Sequence, residues 1–243
     1  MNSIITGNGT NLEPYSNSIE KKPNLAQGSR FSSRIARRYS QELELLGTKG
    51  IDLRDFEGVF NHLVKTHPND VALRVMRQLV LHQLLIEDCQ GKTPLEEVME
   101  RISDLADFTL LMANKHVKAE LQKLHGRPSN SRGEHSDVAI IAMGKLGAKE
   151  LNVSSDVDLV YVYDEDGQTI VDRDEGQKII SNQEYYLKWA KAMHKQIGEV
   201  TEHGFVFRVD LALRPYGNSS ASALSIHIAS RNVPQSIVIV DRA

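Results

Sequence analysis

The sequence predicts an α+β protein, a helical segment over 29–125 followed by a small mixed sheet within 137–226, and three observations predict it. Apolar residues recur at three and four through the first half, the signature of amphipathic helices. A polar stretch rich in Gly, Pro and Ser, GRPSNSRGEHS at 126–136, then interrupts that period. Beyond it the apolar residues come in short continuous runs, VAIIAM, VDLVYVY and FVFRVDLAL, the form of buried strands.

Taken in order, residues 1–28 are rich in Asn, Ser, Gly and Pro with scarcely an adjacent apolar pair outside Ile4-Ile5, and are expected to be a flexible tail. From Arg30 the period is helical: Ile35, Tyr39 and Leu43, then Phe56, Phe60, Leu63 and Val64. The strongest helix signal begins at Thr93-Pro94-Leu95-Glu96, which reads as a capping box with proline at the first helical position. Its run through Val98, Ile102, Leu105, Phe108, Leu111, Met112 and Leu124 ends at Gly126, with Pro128 beyond. The segment 126–136 reads as a linker marking a domain boundary. Strands are expected at Val138–Met143, Val157–Tyr163 and Phe205–Leu213. Between the last two lie an acidic loop, DEDGQTIVDRDEG, expected as a solvated hairpin, and a helix starting at Ser181 or Asn182 with Glu184 completing a Ser-x-x-Glu cap. That helix turns Tyr186, Ala190, Met193, Ile197 and Val200 to the core and ends at Gly204.

Composition excludes several classes and names none. Over 243 residues, Lys+Arg 29 nearly balance Asp+Glu 32 for a net charge of −3, against a polybasic nucleic-acid binder. No run approaches the roughly 18 apolar residues of a membrane span, and the N-terminus lacks a signal-peptide pattern, so a cytoplasmic protein is expected. The single cysteine, Cys89, excludes an intramolecular disulfide and a cysteine-based zinc site. It is read as a helix residue rather than a nucleophile. The nine histidines show neither an HExxH pattern nor paired spacing.

The informative stretch is GKLGAKELNVSSDVDL at 144–159. Strand side chains alternate, so Asp156 and Asp158 share one face while Val157 and Leu159 take the other. Two carboxylates at the mouth of a buried strand need a counter-charge, which a divalent cation with oxygen ligands supplies. The third strand repeats the pattern: Phe205, Phe207, Val209, Leu211 and Leu213 on one face, Arg208, Asp210 and Arg214 on the other. Asp210 is then a third metal ligand, and the arginines receive phosphate oxygens. Plainer readings stand beside these. A lone Asp-x-Asp more often marks a loop or a capped turn, and the lesser reading of Arg208 and Arg214 is as strand-edge charges capping Asp210. Lys145 reads as a solvated helix start whose charge opposes the dipole unless an anion is present, and Lys149 and Glu150 read as surface residues. The acidic loop lacks the ligand spacing of a calcium loop. The third carboxylate, on the correct alternation, favours the metal site over coincidence.

A strand ending in glycine, a short helix, two aspartates opening the next strand and a third on a neighbour: this order resembles the nucleotidyltransferase superfold of the DNA polymerase beta type. GKLGAKELNVSSDVDL followed by FRVDLALRPYG is similar to the bacterial glutamine synthetase adenylyltransferase/deadenylyltransferase family, whose motifs read close to G-K-x-G-G-x-E-L-N-x-x-S-D-x-D-L and R-V-D-x-R-L-R-P. FSSRIARRY, LRVMRQLVLHQLLIEDCQG and SDLAD resemble the helical part ahead of that family's first catalytic domain. The resemblance runs from about Arg30 to about Ile226. Ala148 stands for a second glycine, Val153 for an aromatic residue and Ala212 for an arginine. The stretch HIASRNVPQSIVIVDRA at 227–243 departs from the family, so a partial member with a divergent tail is expected.

The resemblance implies that Asp156, Asp158 and Asp210 are catalytic and hold Mg2+. It implies that Gly144, Lys145, Gly147, Ser154, Ser155, Arg208 and Arg214 meet the nucleotide or phosphate. The implied partners are glutamine synthetase, ATP or ADP, inorganic phosphate and, through parts beyond this stretch, a PII-type signalling protein. The early position of the motif implies the deadenylylating domain, which removes AMP from a tyrosine with phosphate and releases ADP. Three other readings stay open: the forward reaction, which adds AMP from ATP to that tyrosine, a nucleotide- or glutamine-synthetase-binding remnant without complete catalysis, and a nucleotidyltransferase with another acceptor.

Overall fold

The computed structural model describes residues 28–171, 176–211, 223–225 and 238–239. Among the described residues of the first half are five helices: α1 Arg30–Arg38, α2 Ser40–Thr48, α3 Phe56–Leu63, α4 Asn69–Cys89 and α5 Leu95–His125. The Ser29 hydroxyl caps α1 by accepting the Ser32 amide at 3.3 Å. Ile35, Tyr39, Phe60 and Leu63 are buried as the period predicts, whereas Val64 is exposed. α4 is the central helix, buried around most of its circumference.

α5 departs from expectation at its start. Pro94 is the N-cap and makes no side-chain capping bond, because the Thr93 hydroxyl donates instead to Glu87 at 3.3 Å. Glu87 also accepts from Gln83 and pairs with Arg101, so this carboxylate organises the α4–α5 corner. The buried stripe of α5 runs through Ile102, Leu105, Ala106, Leu110, Ala113, Val117 and Leu121, and Leu124 lies in solvent. Gly126 ends the helix at φ 74°, as expected.

Among the described residues the second half builds two sheets. β1 Arg127–Asn130 and β4 Gly167–Ile170 pair antiparallel, so a strand forms within the segment read as a linker, and its partner within the loop read as a solvated hairpin. In the larger sheet β2 Val138–Ala142 pairs antiparallel with β3 Val157–Tyr163. β5 Val209–Asp210 and β6 Leu224–Ser225 lie parallel to β3, β5 at its start and β6 at its end. β7 Val238–Ile239, within the tail expected at 227–243, pairs with β2. The third predicted strand is therefore shorter than its apolar run. Val206 and Phe207 are both buried, and their amides both reach the Ile197 carbonyl, so alternation does not extend back to Phe205.

A short helix α6, Gly144–Gly147, follows β2, and α7, Asn182–Gly198, packs beneath the sheet. Ser181 caps α7 by accepting the Glu184 amide at 3.2 Å. Tyr186, Ala190, Met193 and Ile197 are buried, but the helix stops at Gly198 rather than Gly204, and Val200 is exposed. One continuous apolar core joins both halves, running from Ile35 in α1 to Ala223. Trp189 closes it, edge-on to Tyr161 at 4.9 Å with its Nε1 donating to Asn114 at 2.9 Å. Among the described residues no helix is long and apolar enough to cross a membrane.

Candidate active site

β2 ends against β3 and delivers the chain to Gly144, with the Met143 amide donating to the Asp158 carbonyl at 2.9 Å. Gly144 has φ +53°, and a Cβ there would lie 2.5 Å from Asp158 Oδ2. Glycine is thus needed twice, for the left-handed turn and for the close approach of a carboxylate. At Gly147 a Cβ would meet the Ala142 carbonyl oxygen at 2.7 Å, so α6 also folds back closely on β2.

The loop from 148 to 156 is held from below by α5. The Lys149 ammonium reaches Asp104 at 2.8 Å and Asp107 at 2.5 Å, and the buried Leu151 amide donates to the Ser103 hydroxyl at 3.1 Å. Lys149, read from sequence as a surface residue, is exposed yet serves as this anchor. The loop returns as β3, where the Val157 amide donates to the Arg208 carbonyl at 2.8 Å.

β3 and β5 run parallel with Asp158 registered against Asp210. Registered residues of neighbouring strands share a face, so these two carboxylates stand side by side. Burial, then the charges of Asp210 and Asp156, push the Asp158 carboxyl above the usual carboxylate range, and Lys145 pulls it the other way. Asp156 instead turns to Arg208, whose Nε donates to its Oδ1 at 2.5 Å while the other end of the guanidinium donates to the Ser154 carbonyl at 2.6 Å. The Lys145 ammonium approaches the Ser155 hydroxyl at 3.4 Å, and that hydroxyl donates to Asn152 Oδ1 at 2.7 Å.

Of the residues expected from sequence, Gly144, Lys145, Ser155, Asp156, Asp158, Arg208 and Asp210 therefore surround one end of β3, and Gly147 closes the turn beneath them. Ser154 takes part through its carbonyl. Arg214 lies outside the described residues. Among the described residues no group of three His, Cys, Asp or Glu side chains stands gathered around an ion position. Asp156 is paired with the guanidinium of Arg208. The residues nevertheless suit magnesium, which keeps several waters and needs only one or two carboxylates beside substrate phosphates. The proton affinity that Asp210 and Asp156 confer on Asp158 reflects the same crowding of negative charge.

Sequence reasoning missed Asn152, which orients Ser155, and Arg77, whose guanidinium donates to the Val153 carbonyl at 3.3 Å. It read the SDLAD segment only as part of the helical resemblance, whereas Ser103, Asp104 and Asp107 hold the loop ahead of Asp156. A hydroxyl and two carboxylates on consecutive turns of an apolar helix were the available signal.

A model of the glutamate-ammonia ligase adenylyltransferase family matches residues 25–231. Curated relatives are bifunctional glutamine synthetase adenylyltransferase/adenylyl-removing enzymes. That of Ralstonia nicotianae is 41% identical over 156 residues, covering 64% of this chain and 16% of the relative. Acinetobacter baylyi has one 37% identical over 177 residues, covering 72% and 18%. The Thioalkalivibrio sulfidiphilus enzyme is 33% identical over 201 residues, covering 79% and 20%. The chain thus spans a fifth or less of the length of these relatives.

Proposed function

Because the chain belongs to the glutamate-ammonia ligase adenylyltransferase family, we propose that the end of β3 is a nucleotidyltransferase site of the DNA polymerase beta type. Its substrate is the AMP group carried by a tyrosine of glutamine synthetase, in the cytoplasm. The observation that carries this reading is the pairing of Asp158 with Asp210 across parallel strands, with Gly144 leaving room for the Asp158 carboxylate.

Asp158 and Asp210 would hold magnesium, and Asp156 would join them on exchanging Arg208 for the cation. Bound there, magnesium supplies neutralisation of the charge that builds on the phosphate oxygens during in-line displacement. Arg208 and Lys145, with the Ser154–Ser155 segment, would face those oxygens. Arg214 is assigned the same role on the resemblance. Phosphorolysis needs little more than this positioning and charge balance. An oxygen of inorganic phosphate attacks the α-phosphorus, the bond to the tyrosine oxygen breaks, and the tyrosine regains a proton as ADP leaves.

The test is release of ADP from adenylylated glutamine synthetase in magnesium and phosphate, comparing the chain with its Asp156→Asn/Asp158→Asn variant. Release by the unmutated chain and loss in the variant is the expected result. No release from the unmutated chain would overturn the catalytic reading, and equal release from both would overturn the site. The closed Asp156–Arg208 pair favours one second reading, a domain that binds nucleotide without turning it over. Stabilisation by magnesium and ADP, lost in the double variant and unaccompanied by release, would support that instead.

A further inference from the structure

Between α1, α4, α5 and the loop ahead of Asp156 lies a cavity of about 380 Å³, walled by Phe31, Leu81, Leu84, Leu85 and Val98 and carrying Arg77 at one end. Arg77 is 9% exposed, and among the described residues its Nε has no hydrogen-bond partner. Its guanidinium lies over the rings of Phe205 and Phe207, at 5.1 and 5.4 Å, and its terminal nitrogen reaches the Val153 carbonyl at 3.3 Å. Burial and the like charge of Arg208 push it down to about 10, and among the described residues no carboxylate offsets them. A buried cation without an anion is costly, and ring faces compensate for part of that cost only.

We propose that this cavity binds a small amphipathic anion, its apolar body against the leucine wall and its carboxylate, or an equivalent head, on Arg77. The volume is that of a small-molecule site. Asp88 lines the far end, about three turns along α4, and repels an anion there, so the head is directed to Arg77. Occupancy bears on the active loop. Arg77 holds the Val153 carbonyl, and Arg208 holds the next carbonyl, Ser154, together with Asp156. The inference does not depend on the nucleotidyltransferase reading, and its test measures no activity.

The probe is sodium octanoate, titrated calorimetrically into the full chain, with 1-octanol as the uncharged control. The unmutated chain should bind one octanoate saturably, and 1-octanol at least about tenfold more weakly, as expected for one charge-assisted hydrogen bond. Arg77→Met keeps much of the stem and should bind the two probes equally. Leu85→Trp fills the half-buried wall without touching the charge, and should lose both. Circular dichroism establishes that each variant folds, and if Arg77→Met does not, Leu85→Trp and the octanol comparison decide. Absence of saturable octanoate binding, equal binding of both probes by the unmutated chain, or octanoate binding unaltered by Leu85→Trp would overturn the proposal.

Discussion

Gly144 controls the spacing between a turn and a carboxylate. Alanine there would have to hold φ +53° and clear Asp158 Oδ2, which a Cβ would approach to 2.5 Å. Either the turn or Asp158 must move. Gly144→Ala is expected to cost about 1–3 kcal/mol of stability and, on the proposed magnesium site, to weaken the thermal stabilisation expected from magnesium with the unmutated chain. Calorimetric melting with and without magnesium checks this, and an undiminished magnesium response would show that Gly144 serves the fold alone. The placement of Gly144, Asp156 and Asp158 at one end of β3 was legible because it depends on local order: strand, glycine, alternation. Asp210 was legible as a candidate, but its register against Asp158 was not, since pairing between distant strands leaves no local mark. Arg208 was assigned to phosphate from its face. Its bond to Asp156 was hidden because the chain ahead of Val209 is not a strand and does not alternate.

At the scale of elements, the loop bearing Ser154, Ser155 and Asp156 is as rigid as its attachment to α5. Two kinds of contact make that attachment, the buried Ser103–Leu151 hydrogen bond and the exposed Lys149 ion pairs with Asp104 and Asp107. Physical chemistry ranks them. Removing the Ser103 hydroxyl strands the Leu151 amide in a fully buried position, at a cost of about 1–3 kcal/mol. Asp104 is half-exposed, and Lys149 keeps Asp107 without it, so Asp104→Asn should change stability by less than about 1 kcal/mol. Urea unfolding of Ser103→Ala and Asp104→Asn measures both, and the reverse ranking would make the ion pairs the anchor. Elements with strong local chemistry were legible: α5 by its stripe and Gly126, α7 by its Ser181 cap. β1 and β4 were not, because Arg-Pro-Ser-Asn and Gly-Gln-Thr-Ile carry no apolar alternation and β1 contains a proline. Thr93 read as a cap from spacing alone, and only the fold shows that Glu87 lies near enough to take its hydroxyl.

For the whole molecule, the decisive question is whether the helical half and the α/β half fold as one. Arg74 on α4 is fully buried, and its guanidinium donates to the carbonyls of Gly204 at 3.1 Å, Lys195 at 3.0 Å and Glu199 at 3.0 Å. It also bonds the Asp70 carbonyl at 2.7 Å, so one side chain stitches α4 to the end of α7 and to the turn that leads into β5. Trp189, the chain's one tryptophan, lies where α5, α7 and β3 meet. Its emission therefore reports on the junction, while far-UV dichroism is dominated by the long helices of the first half. A single core with buried polar links across it should unfold cooperatively, so the two signals are expected to follow one urea transition. Arg74→Met keeps the apolar stem but leaves buried carbonyls without donors, and is expected to cost about 2–4 kcal/mol and to shift both signals together. If dichroism and Trp189 emission instead separate, and Arg74→Met moves only one of them, the segment at 126–136 divides two independent folding units. The loop ahead of Asp156, anchored on α5, would then depend on their docking rather than on a shared core.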